Sequence, residues 1–249
     1  MGLVENWLRR RRRAPAATAG PLPDDIAALV RQVQPWTMTS PARLCALIDA
    51  VRYVVQRRVP GAFAECGVWR GGSVMAMMLA LLERGVRDRD IHLYDTFEGM
   101  TEPTAHDRSD YSEPALDTWR QARRSPEHPW NKAFDPQTIG LDAVRARVLG
   151  TGYPPQHVKF VKGPVEQTIP AQAPAELALL RLDTDWYEST RHELEHLYPR
   201  LQPGGVLIVD DYGHWQGCRR AVDEYFARPD VTPVLLLRID YTARLAIKG

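Results

Sequence analysis

Cysteine is scarce in this chain of 249 residues: Cys45, Cys66 and Cys218 are its only thiols, and no two approach a CxxC spacing. That excludes a disulfide framework and a zinc site built on thiolates. Charge bias is also missing. The net charge is +1 with 25% charged residues, so nothing global draws the chain to nucleic acid or to an acidic partner. No apolar run approaches the length of a membrane span. The single basic run, Arg9 to Arg13, is followed by Ala14, Pro15, Ala16, Ala17 and Thr18 rather than by the apolar stretch of a secretory signal. Asn6 stands where myristoylation requires Ser or Thr. The expectation is a cytoplasmic protein whose residues 1–22 form a flexible basic tail, followed by a single domain over 23–249. Internal repeats are absent too, which excludes solenoids and propellers.

What is present is an alternation of strands and helices. Two helices come first, within residues 23–60: Asp24 to Val33, then Pro41 to Arg58. In the second, Ser40 can cap, Pro41 suits the first turn, and Leu44, Leu47, Ile48, Val51, Val54 and Val55 form one apolar face. Ala62 to Cys66 then reads as a short buried strand, Gly67 to Gly72 as a glycine-rich turn, and Ser73 to Arg84 as a helix capped by Ser73. Strands are expected at Ile91 to Tyr94, Val158 to Val161, Leu177 to Leu182 and Val206 to Val209, with helices at Leu141 to Leu149, Ser189 to Tyr198 and Arg219 to Ala227. Residues 96–138 are long and polar, with one helix around Ala115 to Arg123. An insertion of this length in a compact domain is usually functional, and 101–137 reads as a lid or a binding loop. Finally, Val234 to Ile239 and Thr242 to Ile247 are joined only by Asp240 and Tyr241, a link that allows nothing but an antiparallel hairpin. The expected fold is α/β: a seven-stranded, mostly parallel sheet ending in an antiparallel hairpin.

In such a sheet a ligand sits beyond the carboxyl ends of the strands. The first strand delivers Glu65-Cys66-Gly67-Val68-Trp69-Arg70-Gly71-Gly72 there. The dinucleotide pattern GxGxxG fails, because Trp69 stands at its second glycine. Asp95 ends the second strand, where a carboxylate can accept both hydroxyls of a ribose. Leu182-Asp183-Thr184-Asp185 and Val209-Asp210-Asp211 each follow an apolar strand. If those two strands are neighbours, about 5 Å apart, several carboxylates crowd one spot. Their mutual repulsion is relieved by a hard divalent cation such as Mg²⁺. The plain alternative is that these acids cap the turns that follow. His214 reads as a hydrogen-bonded structural histidine that could otherwise reach the metal or the acceptor. Met75, Met77 and Met78 read as core packing.

Five spaced segments carry a resemblance. Thr37-Met38-Thr39, Phe63 to Ser73, Tyr94-Asp95-Thr96-Phe97-Glu98-Gly99-Met100, Leu182 to Thr190 and Asp210-Asp211-Tyr212 resemble the macrocin O-methyltransferase (TylF-like) family, from about residue 36 to the C-terminus. The terminal hairpin agrees, being the mark of the class I S-adenosylmethionine (SAM) methyltransferase sheet. The resemblance implies an enzyme dependent on SAM and Mg²⁺ that methylates a hydroxyl, usually on a deoxysugar of a glycosylated natural product. It implies that Asp183, Asp210 and Asp211 hold the metal. Asp185 would be the general base, and Asp183 would share in catalysis. It implies that Thr37, Met38, Glu65, Gly67, Val68, Ser73, Asp95, Thr96, Gly163 and Asp183 bind SAM. The expected partners are a small-molecule glycoside and, in a dimer or higher homo-oligomer, copies of the same chain; neither nucleic acid nor membrane is expected.

The chemistry such a site must solve is the poor nucleophilicity of a sugar hydroxyl, whose pKa lies near that of water, about 15. A cation lowers that pKa, and an aspartate of ordinary pKa, about 4, can take the proton at neutral pH. Three competing readings of the sequence remain. One is methylation of a catechol or other phenol by the same metal site. Another is an NAD-dependent oxidoreductase, and the last is a non-catalytic SAM-binding protein.

Overall fold

A computed structural model of the chain describes residues 22–249. The basic run at Arg9 to Arg13, and all but the last residue of the expected tail, lie outside the described residues. The chain runs through α1 (Asp24–Val33), α2 (Pro41–Gln56), β1 (Ala62–Cys66), α3 (Gly72–Glu83) and β2 (Ile91–Asp95). An insertion carries α4 (Ala115–Arg124), α5 (Pro129–Ala133) and α6 (Pro136–Ile139). Then follow α7 (Leu141–Leu149), β3 (Val158–Lys162), α8 (Val165–Thr168), β4 (Leu177–Leu182), α9 (Tyr187–His196), β5 (Leu201–Val209), α10 (Gln216–Phe226), β6 (Leu237–Arg238) and β7 (Arg244–Ile247). No helix among the described residues is long and apolar enough to cross a membrane.

The seven strands form one sheet in the order β3-β2-β1-β4-β5-β7-β6. Pairs are parallel from β3 through β5, and β7 runs antiparallel to both β5 and β6. Strand order reverses between β1 and β4, the point at which an open α/β sheet forms its ligand crevice. Both strands are buried along their whole length, because helices cover both faces. Side chains alternate between those faces. Phe63, Leu179, Val206 and Ile208 meet α1, α2, α3 and α7, whereas Ala64, Leu180, Leu207 and Val209 meet α9 and α10.

Three local expectations change. Ser73 does not cap α3: Gly71 takes the cap position in a left-handed conformation (φ +87°), and the Ser73 hydroxyl turns to Glu65. The terminal hairpin is shorter than its apolar pattern, because Asp240 folds back to accept the amides of Thr242 and Ala243, widening the connection. The insertion holds two short helices that periodicity is too coarse to detect. Each starts at a proline and is capped by the residue before it: His128 accepts the Trp130 amide, and Asp135 accepts the Gln137 amide.

Candidate active site

The turn after β1 is built for close approach. Gly67 has φ +84°, and a Cβ there would lie 2.1 Å from the carbonyl oxygen of Asp183, so the β1 and β4 ends can meet only at a glycine. Asp95, at the end of β2, ties this turn down. Its Oδ2 accepts the amides of Val68 (2.6 Å) and Trp69 (3.0 Å), and its Oδ1 accepts the amide of Phe97 (2.7 Å). Burial raises the pKa of Asp95, and the amides of Phe97, Trp69 and Val68 pull it back down. Much of the acceptor capacity expected for a ribose is thus engaged by backbone, although Asp95 still lines the cleft.

That cleft lies between the carboxyl ends of β1 to β5 and the insertion. Of the expected donor-binding residues, Thr37, Met38, Gly67, Val68 and Ser73 line it on the β1 side, and Asp95, Thr96 and Gly163 on the β2–β3 side. Asp183, Asp185 and Asp210 line its floor. Glu65 does not line it: the side chain is fully buried beneath the turn. The insertion contributes Thr101, Phe134 and Ile139, none of which stood out in the sequence.

Under the floor lies a network of buried ions. Arg181, 1% exposed, is the register partner of Glu65 across β1 and β4. Its Nη1 lies 2.5 Å from Glu65 and 2.8 Å from Asp183; its Nη2 lies 2.6 Å from Asp210 and donates to the Thr39 hydroxyl at 3.0 Å. Arg43, reaching from α2, pairs with Asp210 and with Asp240 at 3.0 Å. Burial opposes the charge on Arg181, but Asp183, Asp210 and Glu65 outweigh it and hold the guanidinium ionised. Burial likewise lifts Glu65 above the usual carboxylate range despite Arg181.

The two consecutive aspartates after β5 part company here. Ile208 faces α2 and Val209 faces α9 and α10, so Asp210 continues on the α2 side toward Arg43 and Arg181, and Asp211 on the other. The carboxylates that converge are Asp183, Asp185 and Asp211, with one oxygen of each within 4.8 Å of the others. The sequence reading grouped Asp210 with Asp183 and Asp211; in the structure Asp210 pairs with Arg43 and Arg181, and Asp185 is the carboxylate that approaches Asp183 and Asp211. Burial drives the Asp183 pKa well above its ordinary value. Arg181 opposes the shift, whereas Asp210, Asp211 and Glu65 add to it. Two arginines thus stand among six carboxylates, Glu65, Asp183, Asp185, Asp210, Asp211 and Asp240. A hard divalent cation fits the convergent set of Asp183, Asp185 and Asp211, whose donors are all carboxylate oxygens, half-buried at Asp183 and buried at the other two.

Asp185 occupies a left-handed backbone conformation (φ +70°), as do Trp69 (φ +48°) and Phe97 (φ +52°). Three such residues around one cleft mark backbone that the surroundings hold in place. His214 lies outside both the cleft lining and the convergent carboxylates; its ring stacks on Tyr111 and its Nδ1 is 3.1 Å from the Tyr241 hydroxyl. Met75, Met77 and Met78 are buried in α3 as core. Arg181 was overlooked, yet a lone charge inside the run Leu177 to Leu182 signals a buried partner. Arg43 carried no such signal, because its partners lie 167 and about 200 residues away.

A family model described as "Macrocin-O-methyltransferase (TylF)" matches residues 28–246. The chain is 38% identical over 192 residues to a tetracenomycin-C rhamnosyl 4'-O-methyltransferase of Streptomyces olivaceus, covering 77% of this chain and 68% of the relative. It is 35% identical over 196 residues to the mycinamicin III 3''-O-methyltransferase of Micromonospora griseorubida, covering 79% and 72%. Among solved structures, the O-methyltransferase NovP superposes with a TM-score of 0.73 at 32% identity, covering 86% of this chain and 82% of that one.

Proposed function

Since the chain belongs to the macrocin O-methyltransferase family of SAM-dependent O-methyltransferases, we propose that it methylates a hydroxyl on a sugar of a glycosylated natural product. The relatives from Streptomyces olivaceus and Micromonospora griseorubida, whose names specify sugar positions, support a sugar over a phenol. Family membership removes the nicotinamide and non-catalytic readings. The observation that carries the mechanism is the convergence of Asp183, Asp185 and Asp211, of which Asp183 and Asp185 line the cleft.

Asp183 and Asp211 would hold Mg²⁺, with Asp185 beside it. When bound, the cation supplies Lewis acidity that lowers the pKa of the acceptor hydroxyl. SAM brings a methyl group already activated by its sulfonium. The chain's own work is alignment and proton transfer. Thr37, Met38, Gly67, Val68, Ser73 and Gly163 would hold the donor, and Asp95 stiffens the Gly67 turn against it. Asp185 lines the cleft, Asp211 does not, and Asp210 is engaged by Arg43 and Arg181, which supports the reading that Asp185 takes the hydroxyl proton. Residues 101–137 would close over the acceptor, supported by Thr101 and Phe134 in the cleft wall. Fixing donor and acceptor in line supplies much of the rate advantage.

The test is a panel of glycosylated natural products and simple catechols incubated with methyl-labelled SAM, with and without chelator. Label should enter a sugar hydroxyl, disappear on chelation and return with Mg²⁺. Labelling of catechols alone, or full turnover in excess chelator, refutes the proposal.

A further inference from the structure

Helices α9 and α10 begin directly after the two acid-bearing turns, and neither is capped by a side chain of its own. Both caps come from the insertion. Asp107 Oδ1 accepts the Tyr187 amide, the first of α9, at 2.8 Å. The carbonyl of the next residue, Arg108, accepts the Gln216 amide, the first of α10, at 2.8 Å. Asp107 Oδ2 accepts the amide and hydroxyl of Thr104 at 2.7 and 2.8 Å, which closes the insertion on itself. The Asp107 side chain is buried, and it fits because residue 217 is glycine: a Cβ there would lie 2.1 Å from Oδ1. One carboxylate therefore sits against the first turns of two helices, where free amides and the helix dipole favour negative charge. Trp186 adds a further tie, its Nε1 donating to the Thr101 carbonyl at 3.1 Å.

We infer that Asp107 is a positioning residue through which the insertion sets the geometry of both acid-bearing turns. Asp185 lies two residues before Tyr187 and holds φ +70°, a conformation a non-glycine residue keeps only when its surroundings impose it. Asp211 is tied to the start of α10 through its carbonyl, which accepts the amides of His214 and Trp215. The dipeptide Asp107-Arg108 clamps each turn at its helical end, so the cation site is fully formed only while residues 101–111 are docked. The inference rests on the reading of Asp183, Asp185 and Asp211 as the cation's neighbours.

The test uses the full chain with Asp107→Ala, Asp107→Asn and Gly217→Ala. Amide hydrogen exchange is followed across the domain, and Mg²⁺ is titrated by calorimetry into protein saturated with S-adenosylhomocysteine. Asp107→Ala should speed exchange at residues 183–187 and 211–217 but not in β1 to β3. It should weaken Mg²⁺ by about fivefold or more, the usual scale of coupling between sites. Affinity for S-adenosylhomocysteine should stay within roughly twofold, since its proposed contacts lie mainly on other strand ends. Asp107→Asn keeps an acceptor for the Tyr187 amide and should restore most of the protection. Gly217→Ala should reproduce the loss by expelling the carboxylate, and the double variant should be no worse than either single one. Unchanged exchange at both turns in Asp107→Ala, or a rise spread evenly over the domain, overturns the inference. If the parent binds no Mg²⁺, the cation reading fails, and exchange at the two turns still decides the role of Asp107.

Discussion

The indole Nε1 of Trp215 donates to Asp185 Oδ2 at 2.8 Å, joining the turn after β5 to the carboxylate proposed as the base. The Trp215 ring is in turn held edge-on against Trp186, with centroids 5.1 Å apart. Trp215→Phe keeps most of that packing and removes the donor. A hydrogen bond to a charged group is worth about 1.5–3 kcal/mol, so turnover should fall by roughly tenfold or more with little change in SAM affinity. Asp185→Asn should cost more, about 10²–10⁴ in rate. Steady-state rates at saturating SAM and Mg²⁺ check both. An Asp185→Asn enzyme as fast as the parent would remove Asp185 from the mechanism.

Arg181 is the hub of the buried network, so Arg181→Met strands charge rather than deleting a surface contact. Removing one partner of a buried ion pair typically costs about 3–5 kcal/mol. Urea denaturation should register a loss of that size, because Glu65 keeps only Ser73 and Asp183 loses its guanidinium. A loss under about 1 kcal/mol would mean that the carboxylates take up protons and relax.

Glu193 in α9 is fully buried; its Oε1 accepts the Thr184 hydroxyl at 2.9 Å, and its Oε2 has no hydrogen-bond partner. Burial drives its pKa well above the ordinary value, and Glu166 and Asp183 push the same way. The folded chain therefore keeps a proton that the unfolded chain releases near about pH 4.3. The sign follows: this group favours folding most below that pH, and its contribution declines as pH climbs toward the raised folded value. Glu193→Gln should be no less stable than the parent near neutrality and should flatten that decline. Urea midpoints for parent and variant between about pH 5 and pH 8 measure the difference. An unchanged slope with a marked loss of stability near neutrality would show that Glu193 is ionised.

The succession of strands and helices, the terminal hairpin and a ligand site beyond the carboxyl ends of the strands could be read from residue patterns, because burial on both faces imposes continuous apolar strands; that the crevice opens between β1 and β4 came from the sheet order. Gly67, Asp95, Asp183, Asp185 and Asp211 could be read for a related reason: strand ends at one sheet edge must converge, whatever the loops do. The partition of Asp210 from Asp211 could not. It depends on which face the last strand residue presents and on whether a cation such as Arg43, 167 residues away in sequence, waits on that face. The two short helices of the insertion, and its clamp through Asp107, were equally hidden. A four- or five-residue helix has too few turns to show periodicity, and an acid that caps a helix 80 residues downstream looks in sequence like any polar loop residue. Local pattern determines which elements form and where their ends meet; long-range charge pairing and capping, which require the packed chain, decide which carboxylates pair with arginines and which converge on one another.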